Sequence, residues 1–312
     1  MPTEPEHAKT LSLGIIIPAF NAEQSLSRLV KSIHEQVNPK GLSTKITIVN
    51  DASNDSTGKQ LPTGSIPITV LNNPTNLGRA KTRNIGAVNT DADYLCFLDA
   101  DCCWECTNIL EQIHLNITAH KEMVFGKLNS KGTTFWPVFF QHSQQRKNTN
   151  RLQNQCTTNF IISKRLFLEA GGFNELYTHY GFEDRDFIHR AAALIPKQSI
   201  AFDSQIVVAH EQFDELHTYL NKQYESGRFS AAIYRNEFPE EYSHSTYSLF
   251  DATQAGIFKR LALNLLSCTL PLISPLTNKL IKSNRFFSLT LFLTRLCSSL
   301  SYYKGTKDTI KL

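Results

Sequence analysis

Two carboxylates separated by one small residue close an apolar run at Cys96-Phe97-Leu98-Asp99-Ala100-Asp101. Acids at that spacing, at the end of a buried strand, can face one divalent cation and leave coordination positions open for phosphate oxygens. An Asp-X-Asp triplet alone also fits a solvated turn, so its meaning rests on the segments around it. Three more polar groups stand at the edges of apolar segments. Pro18 to Asn21 follows the run Leu11–Ile17, and Asn50-Asp51 follows the β-branched run Lys45–Val49. Glu183-Asp184 opens a stretch to Ala193 that carries Phe187, Ile188 and three alanines on its apolar side.

The apolar runs read as strands, joined by Ile68–Leu71, Tyr94–Leu98, Met123–Leu128 and Thr157–Ile162. Between them the spacing predicts helices. Leu26, Leu29, Val30 and Ile33 share a face of Ala22–Gln36; further helices are expected over Gly78–Val88, Lys164–Ala170 and Glu183–Ala193. Thr133–Asn150 fits either a loop or a helix. This alternation predicts an α/β fold, a mixed, mostly parallel sheet flanked by helices with right-handed crossovers. Ligands of such sheets sit at the carboxyl ends of the strands, where Pro18–Asn21, Asn50–Asp55 and Asp99–Asp101 all fall.

The chain has 312 residues, 41% of them hydrophobic, enough for a large core. Met1 to Lys9 is polar and acidic, so a cytoplasmic protein is expected. Seven cysteines scattered through apolar segments fit reduced thiols; Cys102, Cys103 and Cys106 lack a second ligand pair at zinc spacing. The charge is uneven. Gly256–Leu312 holds nine Lys and Arg against Asp308, a charge of +8, which leaves −4 on the rest of a chain whose net charge is +4. The expected division is therefore a domain over 1–250 and a basic, amphipathic helical tail over 251–312. Such a tail suits an anionic membrane surface and not nucleic acid.

Five segments, in order, resemble glycosyltransferase family 2: Ile15–Asn21, Val49–Thr57, Asn76–Gly86, Phe97–Asp101, and Gly171–Glu175 followed by Gly181–Asp184. The resemblance covers about Leu11 to His210. It implies a GT-A fold and an inverting transfer of sugar from a nucleotide-sugar donor, with uridine the favoured base, to a glycan or lipid-linked acceptor. It implies that Pro18, Ala19, Phe20 and Asn21 line the nucleoside pocket and that Asp51 accepts the N–H of the base. Arg83 would contact base or diphosphate, Asp99 the ribose or a metal, and Asp101 would bind Mg2+ or Mn2+. His210, closing Val207–His210, resembles a third metal or phosphate ligand. Glu183 would bind substrate and Asp184 would be the catalytic base. The tail, like Tyr224–Phe229 before it, resembles membrane-associated members, which would place the enzyme at the inner face of the cell membrane, in polysaccharide or lipopolysaccharide synthesis.

The sequence departs from the family at two positions. Asn50 stands where the family has the first acid of a pair, and Cys102 where a further acid often follows. These motivate a second reading, a catalytically silent nucleotide or glycan binding module. A processive synthase is disfavoured because no Gln-X-X-Arg-Trp segment occurs, and a nucleotidyltransferase because no glycine-rich basic loop stands near the start.

Overall fold

The computed structural model describes residues 10–147, 152, 155–210 and 215–309. The chain divides into two compact units. The first comprises residues 1–129, 144–173 and 187–212, and the second residues 130–143, 174–186 and 213–312.

In the first unit the described residues begin with β1 (Leu11–Ala19), α1 (Glu23–His34), β2 (Leu42–Asn50), β3 (Ile68–Asn72), α2 (Arg79–Val88) and β4 (Tyr94–Leu98). There follow β5 (Cys102–Trp104), α3 (Ile109–Thr118) and β6 (Met123–Ser130). After α4 (Phe135–Lys147), which begins in the second unit, come β7 (Asn159–Ser163), α5 (Lys164–Glu169), α6 (Glu183–Ala193), whose first turn belongs to the second unit, and β8 (Ile200–His210). The strands form one sheet in the order β3-β2-β1-β4-β7-β6-β8-β5. β3, β2, β1 and β4 are parallel, whereas β7 runs antiparallel to β4 and to β6, and β5 antiparallel to β8.

The pleat explains why the strand sequences look as they do. Ile15 and Ile17 enter one core with Leu26, Leu29 and Ile33 of α1 and Ile113 of α3. Ile16, between them, enters the opposite core with Ala80 and Ala87 of α2 and Phe97, Phe160 and Phe187. Both faces are covered, so the strands read as continuous apolar runs. α5 is capped by Ser163, whose hydroxyl accepts from Leu166 N at 3.2 Å. α2 starts at Gly78, where φ of +80° suits a residue without Cβ.

The second unit gathers α7 (Leu216–Glu225), a π-helical turn at Ser226–Ser230, α8 (Ala231–Glu237), α9 (Pro239–Ser243), α10 (Ile257–Ser267), α11 (Leu270–Ser283) and α12 (Phe287–Thr309). Phe135 and Phe139, from the start of α4, pack there with Leu216, Leu220, Ile281 and Leu300. Trp136 lies against Phe140 and Tyr219 in this cluster. The segment expected as loop or helix is thus a helix, and residues 148–150 of it lie outside the described residues. Gly227 and Gly305 let two backbones meet: a Cβ on Gly227 would strike Tyr302 O, and one on Gly305 would strike Tyr224 O. Asp251, fully buried, accepts from Arg235 Nη1 and from the Tyr242 hydroxyl, both at 2.6 Å.

The mixed sheet, its flanking helices and the helical C-terminal region are as the sequence predicts. β5 and α3 were not expected. Among the described residues no single helix is long and apolar enough to cross a membrane.

Candidate functional site

The strand ends bring the sequence motifs of the first unit together. Asp51 lies one residue past β2, and its amide donates to Ala19 O at the end of β1 (2.8 Å). The Asp51 carboxylate is only 5% exposed and accepts three hydrogen bonds. Oδ1 takes Asn73 Nδ2 at 2.7 Å and Leu77 N at 2.9 Å; Oδ2 takes Gly78 N at 3.0 Å. An anion is thereby fixed at the N-terminus of α2, and one lone pair of Oδ2 is left over. Asn50 joins the neighbouring strand by donating to Asn72 Oδ1 at 3.0 Å and holds the following turn by accepting from Ser53 N at 3.1 Å. Pro18 and Ala19 end β1, Phe20 is 48% exposed, and Asn21, in the left-handed region at φ +49°, accepts from Asn54 N at 2.9 Å.

Asp99 follows β4. Arg83, on α2 and 1% exposed, places Nη2 2.7 Å from Asp99 Oδ1, and Thr158 donates to Asp99 Oδ2 at 3.0 Å. The Arg83 guanidinium also lies over the Phe173 ring at 5.2 Å. Its neighbour Asn84 holds the Phe173 backbone from both sides, accepting from its N and donating to its O at 2.8 Å each. The Thr82-Arg83-Asn84 and Gly171-Gly172-Phe173 segments, far apart in sequence, are thus one packed support for Asp99.

Burial alone would raise the Asp99 carboxyl, but the charges of Arg83 and Arg79 and the bonds from Arg83 and Thr158 outweigh it and hold the group at about 2. A carboxylate lowered by folding contributes stability that is complete above its unfolded value, ~3.9, and is lost as pH falls through the folded one. Between pH 4 and pH 2 the wild type is therefore expected to lose about 2 kcal/mol more than Asp99→Asn does. Urea midpoints across that range measure it; parallel curves would show that Asp99 is not the acid-sensitive group.

Asp101 lies between β4 and β5. Cys102 pairs in register with His210 across β5 and β8, and this places His210 Nε2 3.1 Å from Asp101 Oδ2. Both side chains are about a third exposed, 34% and 29%. Cys102 itself is buried among apolar side chains. Burial, and then the charges of Asp101 and Asp99, push its thiol up, so it is no substitute for an acid ligand. Among the described residues no group of three or more His, Cys, Asp and Glu is gathered around one point. The Asp101 carboxylate fits Mg2+ or Mn2+, with remaining positions open to phosphate and water, and His210 stands beside it as a less usual nitrogen donor for such hard ions. Asp99 has both carboxylate oxygens engaged within the protein.

Glu183, Asp184 and Asp186, in the first turn of α6, belong to the second unit. Glu183 is 3% exposed and turns back to accept from Gly181 N at 3.0 Å. Asp186 is fully buried and accepts from the Tyr177 hydroxyl at 3.3 Å. Asp184 is the most accessible of the three. The preceding turn is strained, with Phe182 at φ +69°. The second unit also holds a cavity of about 600 Å³ lined by Arg235, Tyr242, Ser248 and Lys259 among others; none of the expected site residues lines it.

Asn73, Thr158 and Arg79 were missed from sequence. Asn73 has a signal, because it follows β3 as Asp51 follows β2 and the register pairs Asn72 with Asn50. Thr158 has none, since it reaches Asp99 only through the antiparallel pairing of β7 with β4.

The family model for "Glycosyl transferase family 2" matches residues 14–171, just over half of the chain, and the protein belongs to that family. An uncharacterized glycosyltransferase of Haemophilus influenzae is 30% identical over 183 residues, which cover 56% of this chain and 60% of that one. The amylovoran biosynthesis glycosyltransferase AmsB of Erwinia amylovora is 24% identical over 214 residues, covering 66% and 63%. The chain thus spans somewhat under two thirds of the length of these relatives. The crystal structure of S. aureus TarS 1-349 shares 16% identity at a TM-score of 0.54 over 96% of this chain and 92% of that one. TarS has also been solved with UDP and with UDP-GlcNAc, each at a TM-score of 0.53. The shared architecture is the expected GT-A fold.

Proposed function

We propose that this protein transfers a sugar, with inversion, from a UDP-linked donor to a hydroxyl of a glycan or lipid-linked acceptor. The reading extends to metal dependence, to a place in cell-surface polysaccharide or lipopolysaccharide synthesis, and to the inner face of the cell membrane. Its principal support is the set of polar groups at the strand ends: Asp51, the Arg83–Asp99 pair, and Asp101 beside His210. The UDP complexes of TarS and the name of AmsB point the same way.

In this reading Pro18 and Ala19 form a small rigid wall for the base, Phe20 and Asn21 complete that side of the pocket, and the remaining lone pair of Asp51 accepts its N–H. Arg83 keeps Asp99 ionised and oriented toward ribose hydroxyls. Asp101 and His210 would hold Mg2+ or Mn2+, and that ion, when bound, offsets the charge of the departing diphosphate. Glu183 fixes the turn that presents Asp184. Asp184 accepts the proton of the acceptor hydroxyl as its oxygen bonds to the anomeric carbon and the bond from that carbon to the diphosphate breaks. One displacement needs one base and inverts the centre.

Thermal unfolding with UDP, GDP, CMP and their sugar conjugates, each with and without Mn2+, tests the donor site. Ligand at about a hundred times its Kd adds about 2.7 kcal/mol, a rise of several degrees. UDP compounds with Mn2+ are expected to give it. No shift from a folded sample with any nucleotide would favour the silent binding module.

A further inference from the structure

The helices after Gly256 carry their polarity inside out. Large apolar side chains stand in solvent on α10 and α11: Phe258 is 89% exposed, Leu272 78%, Ile257 76% and Leu265 75%. Phe286, just before α12, and Phe292, in its second turn, are 71% and 61% exposed. The side chains these helices bury are in good part small or hydroxylated: Ser267, Thr277, Thr290, Thr294 and Ser301 are all at most 5% exposed, beside Leu263, Leu270 and Ile281. Thr294 has its hydroxyl oxygen buried without a hydrogen-bond partner among the described residues. In water that distribution is unfavourable, and an apolar patch of this kind marks an interaction surface. In lipid it is ordinary, because small and hydroxyl residues let helices approach while apolar residues face outward.

The exposed positions fall on stripes. Ile257, Phe258, Leu261 and Leu265 share one face of α10, and Leu272 and Leu276 one face of α11. Charge selects the occupant. From Ile257 to Arg295 the chain holds six cations, Lys259, Arg260, Lys279, Lys282, Arg285 and Arg295, and no acid. A second copy of this face would set those cations against another six. A protein interface core is depleted in lysine and charge. An anionic lipid surface accepts both the apolar stripes and the cations.

The geometry also separates lying from spanning. α10 and α11 have 11 and 14 residues; at 1.5 Å per residue their lengths are about 16 Å and 21 Å, each short of a hydrocarbon core of about 30 Å. Together they have the length and composition of a span, but they bend by 55° at the break between them. The second half of α12 is held within the helical unit, with Tyr302 bonded to Tyr242 at 2.8 Å and Tyr303 to Asn264 at 2.9 Å.

We propose that α10, α11 and the first turns of α12 lie flat in one leaflet of an anionic bilayer. Phe258, Leu265 and Leu272 reach acyl depth, and Lys259, Lys279, Lys282 and Arg285 stay among the headgroups. This rests on the membrane location proposed above and goes further, making apolar insertion the anchor and charge the guide.

The test uses the full chain, since removing everything after Gly256 would take the buried Tyr302 and Tyr303 with it. Vesicles of phosphatidylcholine with about 30% phosphatidylglycerol are expected to bind the wild type about tenfold more than phosphatidylcholine alone. A Phe258→Glu/Leu265→Glu/Leu272→Glu variant, altered only at exposed positions, should keep its circular dichroism and lose binding about tenfold or more. In Phe258→Trp, lipids brominated on the acyl chain should quench emission beyond the background of Trp104 and Trp136. Unchanged binding by the triple variant, removed by about 0.5 M NaCl, would overturn insertion while leaving the membrane location standing. Wild type that binds neither vesicle would overturn both. A soluble dimer that the triple variant cannot form would assign the face to a second copy instead.

Discussion

Asp184→Asn is expected to bind the donor nucleotide as the wild type does and to transfer sugar about a thousandfold more slowly, within the range that a positioned general base contributes. Glu183 is buried and accepts from Gly181 N, and Asp186 is fully buried against Tyr177, which leaves Asp184 as the most accessible carboxylate of the turn. Asparagine preserves the shape of the side chain and cannot accept the proton. Single-turnover rates with the donor chosen by thermal unfolding, set beside nucleotide binding by calorimetry, separate the two effects. Transfer at the wild-type rate would move the base elsewhere; loss of nucleotide binding would make Asp184 a binding group.

The strands carrying the site could be read from sequence because the parallel sheet is buried on both faces. Ile15 to Ile17 and Tyr94 to Leu98 have no polar interruption, and the first polar residues after them necessarily fall at strand ends. What could not be read is whatever depends on pairing across the sheet. β5 is three residues long and too short for periodicity to mark, yet it brings Cys102 opposite His210 and so Asp101 beside the imidazole. The same limit applies to Asn84. Its place next to Arg83 gave it no role of its own, and only the tertiary structure shows its amide closing on the backbone of Phe173. In the tail, composition indicated apolar and basic helices, but which face carried which residue needed the burial of Thr277, Thr290 and Thr294 to be seen.

Replacing Arg83 by methionine is expected to cost about 3 to 5 kcal/mol of stability, the range for removing one partner of a buried ion pair. Methionine fills most of the space against Phe173 but leaves the Asp99 carboxylate with Thr158 as its remaining close donor among the bonds described. The loss therefore comes chiefly from an uncompensated anion and less from packing, and this makes a distinctive expectation. Asp99→Asn in the Arg83→Met background should recover part of the stability, so the double variant is more stable than the two single losses added together. Urea midpoints of the four proteins close the cycle. Simple additivity would mean that the 2.7 Å contact contributes no coupling. Nucleotide binding gives the functional half. If Arg83 acts by orienting Asp99, Arg83→Met and Asp99→Asn should weaken the donor by similar factors and the double variant by little more. A further, independent loss in the double variant would instead indicate that the guanidinium touches the nucleotide itself.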